Sequence, residues 1–301
     1  MTKPAILVFA YHDVGYECLN ALIQNDEYIL AVITHKDDPE EEIWFRSVAA
    51  LAKKYDIPVH SPESVYTPDW VDRIRSWSPD LILSFYYRNM IHEDILSIPR
   101  LGAFNMHGSL LPKYRGRAPI NWAIIQGEKT TGVTLHHMVK RADAGDIVDQ
   151  EAVAIGHEET AREVFGKCVA AARLVLERQL GALTTGTAPR RAQDESAATY
   201  FGGRRPEDGR IDWTASAETI YNLVRAVTNP YPGAFTTVNG KKLLIWWATL
   251  RADTGKKPGT ISSTDPLIVA AGSGSLEIVN YEWEDDEEGE LNVGQVLGDK
   301  S

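Results

Sequence analysis

Asn105, His107 and Asp143 are the residues of this 301-residue chain whose types and spacing bear most directly on chemistry. The first two open the run Asn105-Met106-His107-Gly108-Ser109-Leu110-Leu111-Pro112-Lys113-Tyr114-Arg115-Gly116, and the third lies in Lys140-Arg141-Ala142-Asp143-Ala144-Gly145-Asp146. Two residues apart at the end of an apolar run, the amide and the imidazole leave the same face if that run is a strand. With a carboxylate in reach, such a set can donate to a developing oxyanion, take a proton from an attacking nucleophile and set the basicity of the imidazole that takes it. That is equipment for acyl transfer.

Other chemistries find less support. His136 and His137 are adjacent, so on a strand they point to opposite faces and do not chelate one metal; no metal is expected. The first strand-to-helix turn, Tyr11-His12-Asp13-Val14-Gly15, lacks the Gly-x-Gly-x-x-Gly that lets a pyrophosphate approach, and its His12 is read as part of the cap of the following helix. Ser109 is not in a Gly-x-Ser-x-Gly elbow, and Gly272-Ser273-Gly274-Ser275 has hairpin character. Cys18 and Cys168 are the two cysteines and are far apart, which fits a reducing cytoplasm and no disulfide framework. The formal charge of -11 sets up a field that repels polyanions, so nucleic acid is not expected as a partner. The seven carboxylates of Glu282 to Glu290 read as a solvated loop. Among the cations, Arg115, Arg117, Arg204 and Arg205 are each candidates for surface pairing; Arg204 and Arg205, beside the turn Pro206-Glu207-Asp208-Gly209, are also candidates for a substrate phosphate.

The elements that must position these groups follow from the apolar patterning. Ala5 to Tyr11, Tyr28 to His35 and Asp80 to Tyr87 are short runs rich in β-branched and aromatic residues, as in parallel strands buried on both faces. Between them, Val14 to Asn25, Glu41 to Tyr55 and Pro68 to Trp77 repeat at three and four and are predicted helices. This alternation implies a doubly wound, Rossmann-like sheet with its site beyond the carboxyl ends of the strands. A short strand over Ala103 to Met106 delivers Asn105 and His107 to that edge. Thr131 to Val139 and Ile147 to Ile155 are predicted antiparallel strands flanking the Asp143 loop, and Thr160 to Leu183 a long helix. The aromatic cluster Phe85-Tyr86-Tyr87 reads as core filling. The pattern gives a first domain over 1–186 and a Thr-, Ala-, Pro-, Gly- and Arg-rich linker over 187–205. A second domain, 206–301, carries hairpins at Asn239-Gly240 and Gly272 to Gly274 and a helix over Glu218 to Thr228, as in a small OB-like β-barrel. No apolar stretch is long enough for a membrane span, and Ala5 to Tyr11 is too short for a signal segment.

The opening motifs, with Phe9-Ala10-Tyr11-His12-Asp13, Ser84-Phe85-Tyr86-Tyr87-Arg88 and Met138 to Gly145, resemble the folate-dependent formyltransferase family along essentially the whole chain. The resemblance implies Asn105, His107 and Asp143 as the catalytic set, 10-formyltetrahydrofolate as co-substrate, no metal, and a Rossmann-like domain followed by an OB-like one. It places the folate contacts on Asn89, Met90, Ile91, Arg117, Val139, Lys140, Arg141 and Ala142, with Asn89 standing where the family is expected to have His. Within the family the motifs are similar to enzymes that formylate UDP-4-amino-4-deoxy-L-arabinose, a step in lipid A modification and polymyxin resistance; there the transferase is one half of a bifunctional chain, so this chain is an isolated domain or a stand-alone relative. Another UDP- or TDP-linked aminosugar and a non-catalytic folate- or nucleotide-binding module are the alternatives. The acidic C-terminal run argues against tRNA as acceptor.

Overall fold

The structure, a computed structural model, describes residues 3–39, 41–284 and 289–298. From the N-terminus, β1 (Ile6–Ala10), α1 (His12–Gln24), β2 (Ile29–Ile33), α2 (Val48–Lys54), β3 (Val59–His60), α3 (Pro68–Trp77) and β4 (Leu81–Phe85) alternate as the apolar runs require. Then come α4 (Glu93–Leu96), β5 (Ala103–His107), the two-residue β6 (Arg115–Gly116), α5 (Pro119–Ile125), β7 (Thr130–His137), β8 (Ile147–Ala154), α6 (Ala161–Thr185) and β9 (Tyr200–Phe201). Every residue of β1 and β4 is buried, because helices cover both faces of a parallel sheet.

The chain forms two compact units. The first takes the residues up to Pro119, Thr130–Ala154 and Phe165–Phe201. Its seven-stranded sheet runs β3-β2-β1-β4-β5-β7-β8, parallel as far as β5 and antiparallel beyond it. The strand order reverses between β1 and β4, which opens a crevice beyond their carboxyl ends. This is the Rossmann-like sheet expected from the alternation of runs.

One boundary differs from the pattern. The helix expected from Glu41 begins only at Val48, where Ser47 Oγ accepts from the Ala50 N–H at 3.2 Å. Residues 41 to 46 are drawn into tertiary contacts instead. The Glu41 carboxylate accepts from both Arg88 Nη atoms at 2.7 and 2.6 Å, and the Phe45 ring stacks on His12 with centroids 3.9 Å apart.

The second unit takes Ile120–Lys129, Ile155–Val164 and the residues from Gly202 on. It holds α7 (Ala217–Val227), β10 (Ala234–Val238), β11 (Lys241–Arg251), β12 (Ile261–Thr264), β13 (Leu267–Ala270) and β14 (Ser275–Trp283) in an antiparallel sheet ordered β10-β11-β14-β13-β12. Asn239 and Gly240, at φ 50° and 80°, make the tight β10–β11 turn that an Asn-Gly pair favours. Asp285 to Glu288, in the middle of the acidic run, lie outside the described residues. Among the described residues no helix is long and apolar enough to cross a membrane.

Candidate active site

β5 runs parallel to β4 and antiparallel to β7, and these pairings fix the site. Asn105 lies directly opposite His136, and His107 opposite Thr134. The chain turns after His107 because Thr134 Oγ1 donates to the Ser109 carbonyl at 2.6 Å and accepts from the Leu111 N–H at 3.1 Å. Ser109 Oγ is itself committed to the Lys113 carbonyl at 2.6 Å, so its hydroxyl shapes the loop. Gly108 is required where it stands, since a Cβ there would collide with the Tyr86 hydroxyl.

The three residues singled out by type converge. Asp143 Oδ1 lies 3.5 Å from His107 Nδ1 and 3.6 Å from His136 Nε2, while Asp143 Oδ2 accepts from the Gly116 N–H at 2.9 Å. His107 Nε2 donates to the Tyr114 carbonyl at 2.8 Å; a carbonyl only accepts, so Nε2 carries hydrogen and the lone pair of the neutral ring is on Nδ1. The 3.5 Å gap to Asp143 exceeds a charge-assisted hydrogen bond, and a proton arriving on Nδ1 would close it. Burial alone would raise the Asp143 carboxyl, but the neighbouring His107 and His136 and the Gly116 N–H outweigh it and hold the group well below the usual carboxylate range.

His136 was not among the expected site residues, yet it belongs to the cluster. Its Nδ1 donates to the His137 carbonyl at 2.9 Å, which leaves Nε2 of the neutral ring to accept from Asn105 Nδ2 at 3.1 Å. One amide hydrogen of Asn105 is thereby spent on orientation, and the other is left to aim at an oxyanion. His137 faces the other way, with Nε2 on the Pro189 carbonyl at 3.0 Å, so the two adjacent histidines do sit on opposite faces. Among the described residues no group of three or more His, Cys, Asp or Glu could hold a metal ion.

The folate-contact candidates separate into side chains that face solvent and one that does not. Asn89, Met90, Arg117, Val139, Lys140, Arg141 and Ala142 are exposed, whereas Ile91 is buried in the core of the first unit and offers only its main chain. Lys140 Nζ reaches Glu93 Oε1 at 3.3 Å, which draws the 89–91 and 139–142 segments together. Arg141 pairs with Glu195 at 3.0 Å. Arg204 and Arg205 belong to the second unit. There the Arg204 guanidinium lies over the Trp122 ring and donates to the Asp208 carbonyl at 2.8 Å, and the Arg205 main chain donates to Asp208 Oδ2. Arg115, read as a candidate for pairing with a surface carboxylate, does pair with the exposed Glu195, while its own side chain is fully buried and also bonded to Gln193 and Tyr200.

Strained backbone collects around the site: His12, Tyr86, Tyr114, Ala118 and Asp143 all have φ between 49° and 63°, a region that costs non-glycine residues energy. His12, expected in the cap, is the first residue of α1; its Nδ1 accepts from the first-turn Asp13 N–H at 3.0 Å and its ring packs against Trp44, Phe45 and Phe165. Burial pushes its pKa down to about 4, and does the same to His35, which stacks on Tyr87. An open cavity of about 890 Å³ beside His60, Glu63, Trp70 and Arg73 contains none of the cluster.

An amide, an imidazole and a carboxylate gather at the carboxyl ends of β4 and β5 in a doubly wound sheet, and these are groups that can serve acyl transfer. The chain belongs to the formyl transferase family: the Formyl transferase model matches residues 2–179, and the model of the Formyl transferase, C-terminal domain matches residues 204–291. Among solved structures it is similar to the N-formyltransferase from Helicobacter canadensis in complex with folinic acid and dTDP-3-aminofucose, at 19% identity and TM-score 0.69 over 98% of this chain and 100% of that one. It is also similar to WlaRD, a sugar 3N-formyl transferase determined with dTDP and 5-N-formyl-THF, at 18% identity and TM-score 0.67 over 100% of both chains. The methionyl-tRNA formyltransferase from Clostridium thermocellum shares the fold at 19% identity and TM-score 0.58, over 85% of this chain and 96% of that one.

Proposed function

We propose that the protein transfers the formyl group of 10-formyltetrahydrofolate to the amino group of a nucleotide-linked aminosugar in the cytoplasm. UDP-4-amino-4-deoxy-L-arabinose is the acceptor its sequence motifs resemble. The observation that carries the reading is the convergence of Asn105, His107 and Asp143, with one Asn105 amide hydrogen uncommitted. In this mechanism the amine nitrogen bonds to the formyl carbon and the carbonyl becomes an oxyanion, which Asn105 receives; one such donor is worth roughly 10² to 10³ in rate in comparable sites. His107 takes the amine's proton on Nδ1, where the Asp143 carboxylate stabilises it. The carbon–nitrogen bond to the folate then breaks, and His107 returns the proton to the departing nitrogen.

For the folate, the exposed apolar side chains of Met90 and Val139 offer contact to a flat ring beside the main-chain groups of 89–91 and 139–142. Arg117 is a further contact candidate. Arg204 and Arg205 are the candidates for the nucleotide's phosphates. A TDP-linked aminosugar is the second reading, consistent with two structural relatives whose structures contain dTDP or a dTDP-sugar. The test is incubation with 10-formyltetrahydrofolate and a panel of UDP- and TDP-linked 3- and 4-aminosugars, followed by mass spectrometry. Formylation of the UDP-arabinose compound supports the first reading and of a TDP-sugar alone the second; no formylated product from any member would refute both.

A further inference from the structure

Gln193 sits in the polar stretch after α6 and is placed to use all of its hydrogen-bonding capacity on three partners. Its Oε1 accepts from Arg115 Nε at 3.1 Å and Arg115 Nη2 at 2.7 Å, and its Nε2 donates to the Asp143 carbonyl at 2.8 Å and the Gly145 carbonyl at 2.7 Å. The orientation of the amide is not ambiguous, because a guanidinium only donates and a main-chain carbonyl only accepts. No other side chain reproduces the pattern. Glu lacks the donors, Lys and Arg lack the acceptor, and Asn is one methylene short.

The other end of this bridge is anchored as firmly. Arg115 is fully buried, is held by both carboxylate oxygens of Glu195 at 2.6 and 3.1 Å, and meets the Tyr200 hydroxyl. Its neighbour Gly116 supplies the N–H that grips Asp143 Oδ2. Strand β6 is in turn paired with β9, and the Tyr114 N–H donates to Thr199 Oγ1 at 2.8 Å, so residues 193–201 brace both loops of the site. Asp143 needs such bracing: it holds a left-handed φ of 54°, and Gly145 has no room for a Cβ against the His137 carbonyl.

We infer that Gln193 is a positioning residue for formyl transfer, a clamp from the polar stretch after α6 that holds the Asp143 loop against the buried Arg115 so that the carboxylate meets His107. The inference rests on the proposed function for its catalytic consequence, while the clamp can be read without any turnover. The experiment compares the full-length wild type with Gln193→Leu and Gln193→Glu. In both variants, amide hydrogen exchange across residues 139–146 rises at least tenfold. The kcat for formyl transfer falls about 10- to 100-fold, as for a displaced catalytic group. The acid limb of the pH–rate profile also moves downward, because a displaced Asp143 carboxylate stabilises the proton taken up by His107 less. If the Leu variant fails to fold, the Glu variant, which keeps the Arg115 contacts and loses only the two donors, carries the test. Unchanged exchange overturns the clamp; so does faster exchange with an unmoved kcat and acid limb, which would make Gln193 merely structural. If the wild type formylates no aminosugar, the proposed function fails, and the exchange measurement alone decides whether Gln193 holds the loop.

Discussion

Replacing Asp143 by Asn isolates the charge of the carboxylate from its shape. The amide oxygen can keep the Gly116 N–H, and the amide nitrogen can face the two ring nitrogens at 3.5 and 3.6 Å, so Asp143→Asn is expected to fold. What it loses is stabilisation of a proton on His107. Two unit charges 3.5 Å apart interact by about 4 to 5 kcal/mol at an effective dielectric constant of about 20. Asp143 is 13% exposed, and allowing for that screening leaves about 3 to 4 kcal/mol, or roughly 10² to 10³ in kcat. The assay is steady-state formyl transfer with the acceptor identified by mass spectrometry, paired with thermal unfolding across pH. The folded-state pKa of Asp143 is depressed, so its contribution to stability is present above the unfolded carboxylate value of about 3.9 and is lost as pH falls through the folded value. The variant should therefore unfold at a lower temperature than the wild type at pH 7, with the gap closing in acid. A kcat within about fivefold of the wild type would refute the electrostatic role.

Three further outcomes follow from the same geometry. His136→Phe removes the acceptor that orients Asn105 and should lower kcat about tenfold with little change in either KM, read by steady-state kinetics in both substrates. Gly145→Ala drives a methyl group into the His137 carbonyl and should displace the Asp143 loop, costing about 2 kcal/mol or more in denaturant unfolding together with most of the activity. Burial depresses His12 and His35 to about 4, so the unfolded chain binds their protons first; stability should be full above pH 6.5 and fall between there and pH 4. The loss is on the order of 2 kcal/mol per histidine after screening, measured as the unfolding midpoint against pH; His12→Phe should flatten part of it.

What was legible in the sequence, and what was not, divides along physical lines. β1 and β4 could be read because burial on both faces demands unbroken apolar runs, and Asn105 and His107 because period-two geometry puts them on one face of the short β5. The Asp143 loop was visible as a break between two strand patterns. His136 was not, because its place opposite Asn105 depends on the β5–β7 register, which no local pattern encodes. The helix start at Val48 was missed because Glu41 to Arg46 have a helical pattern yet find better partners in Arg88, His12 and Asp13. Arg115 and Gln193 were hidden for a related reason. Composition marks polar, Pro- and Gly-containing stretches as exposed, and it cannot distinguish a solvated arginine from one whose donors are met by Gln193, Glu195 and Tyr200.

That last distinction bears on how the site is built. The resemblance puts catalysis on three residues, but two of them depend on backbone that strand pairing does not support: Asp143 lies between β7 and β8 at a left-handed φ, and the Tyr114 carbonyl that holds the ring of His107 comes from another left-handed residue. Neither loop can hold those conformations by local preference. Both converge on Arg115, Gln193, Thr199 and Tyr200, which tie the loops to each other instead of to the sheet. The sheet therefore fixes Asn105 and the start of His107, while a separate polar network sets the carboxylate and the ring tautomer. A change in that network should alter proton handling before it alters the fold, which is why pH dependence, more than stability, is the measurement that separates the two.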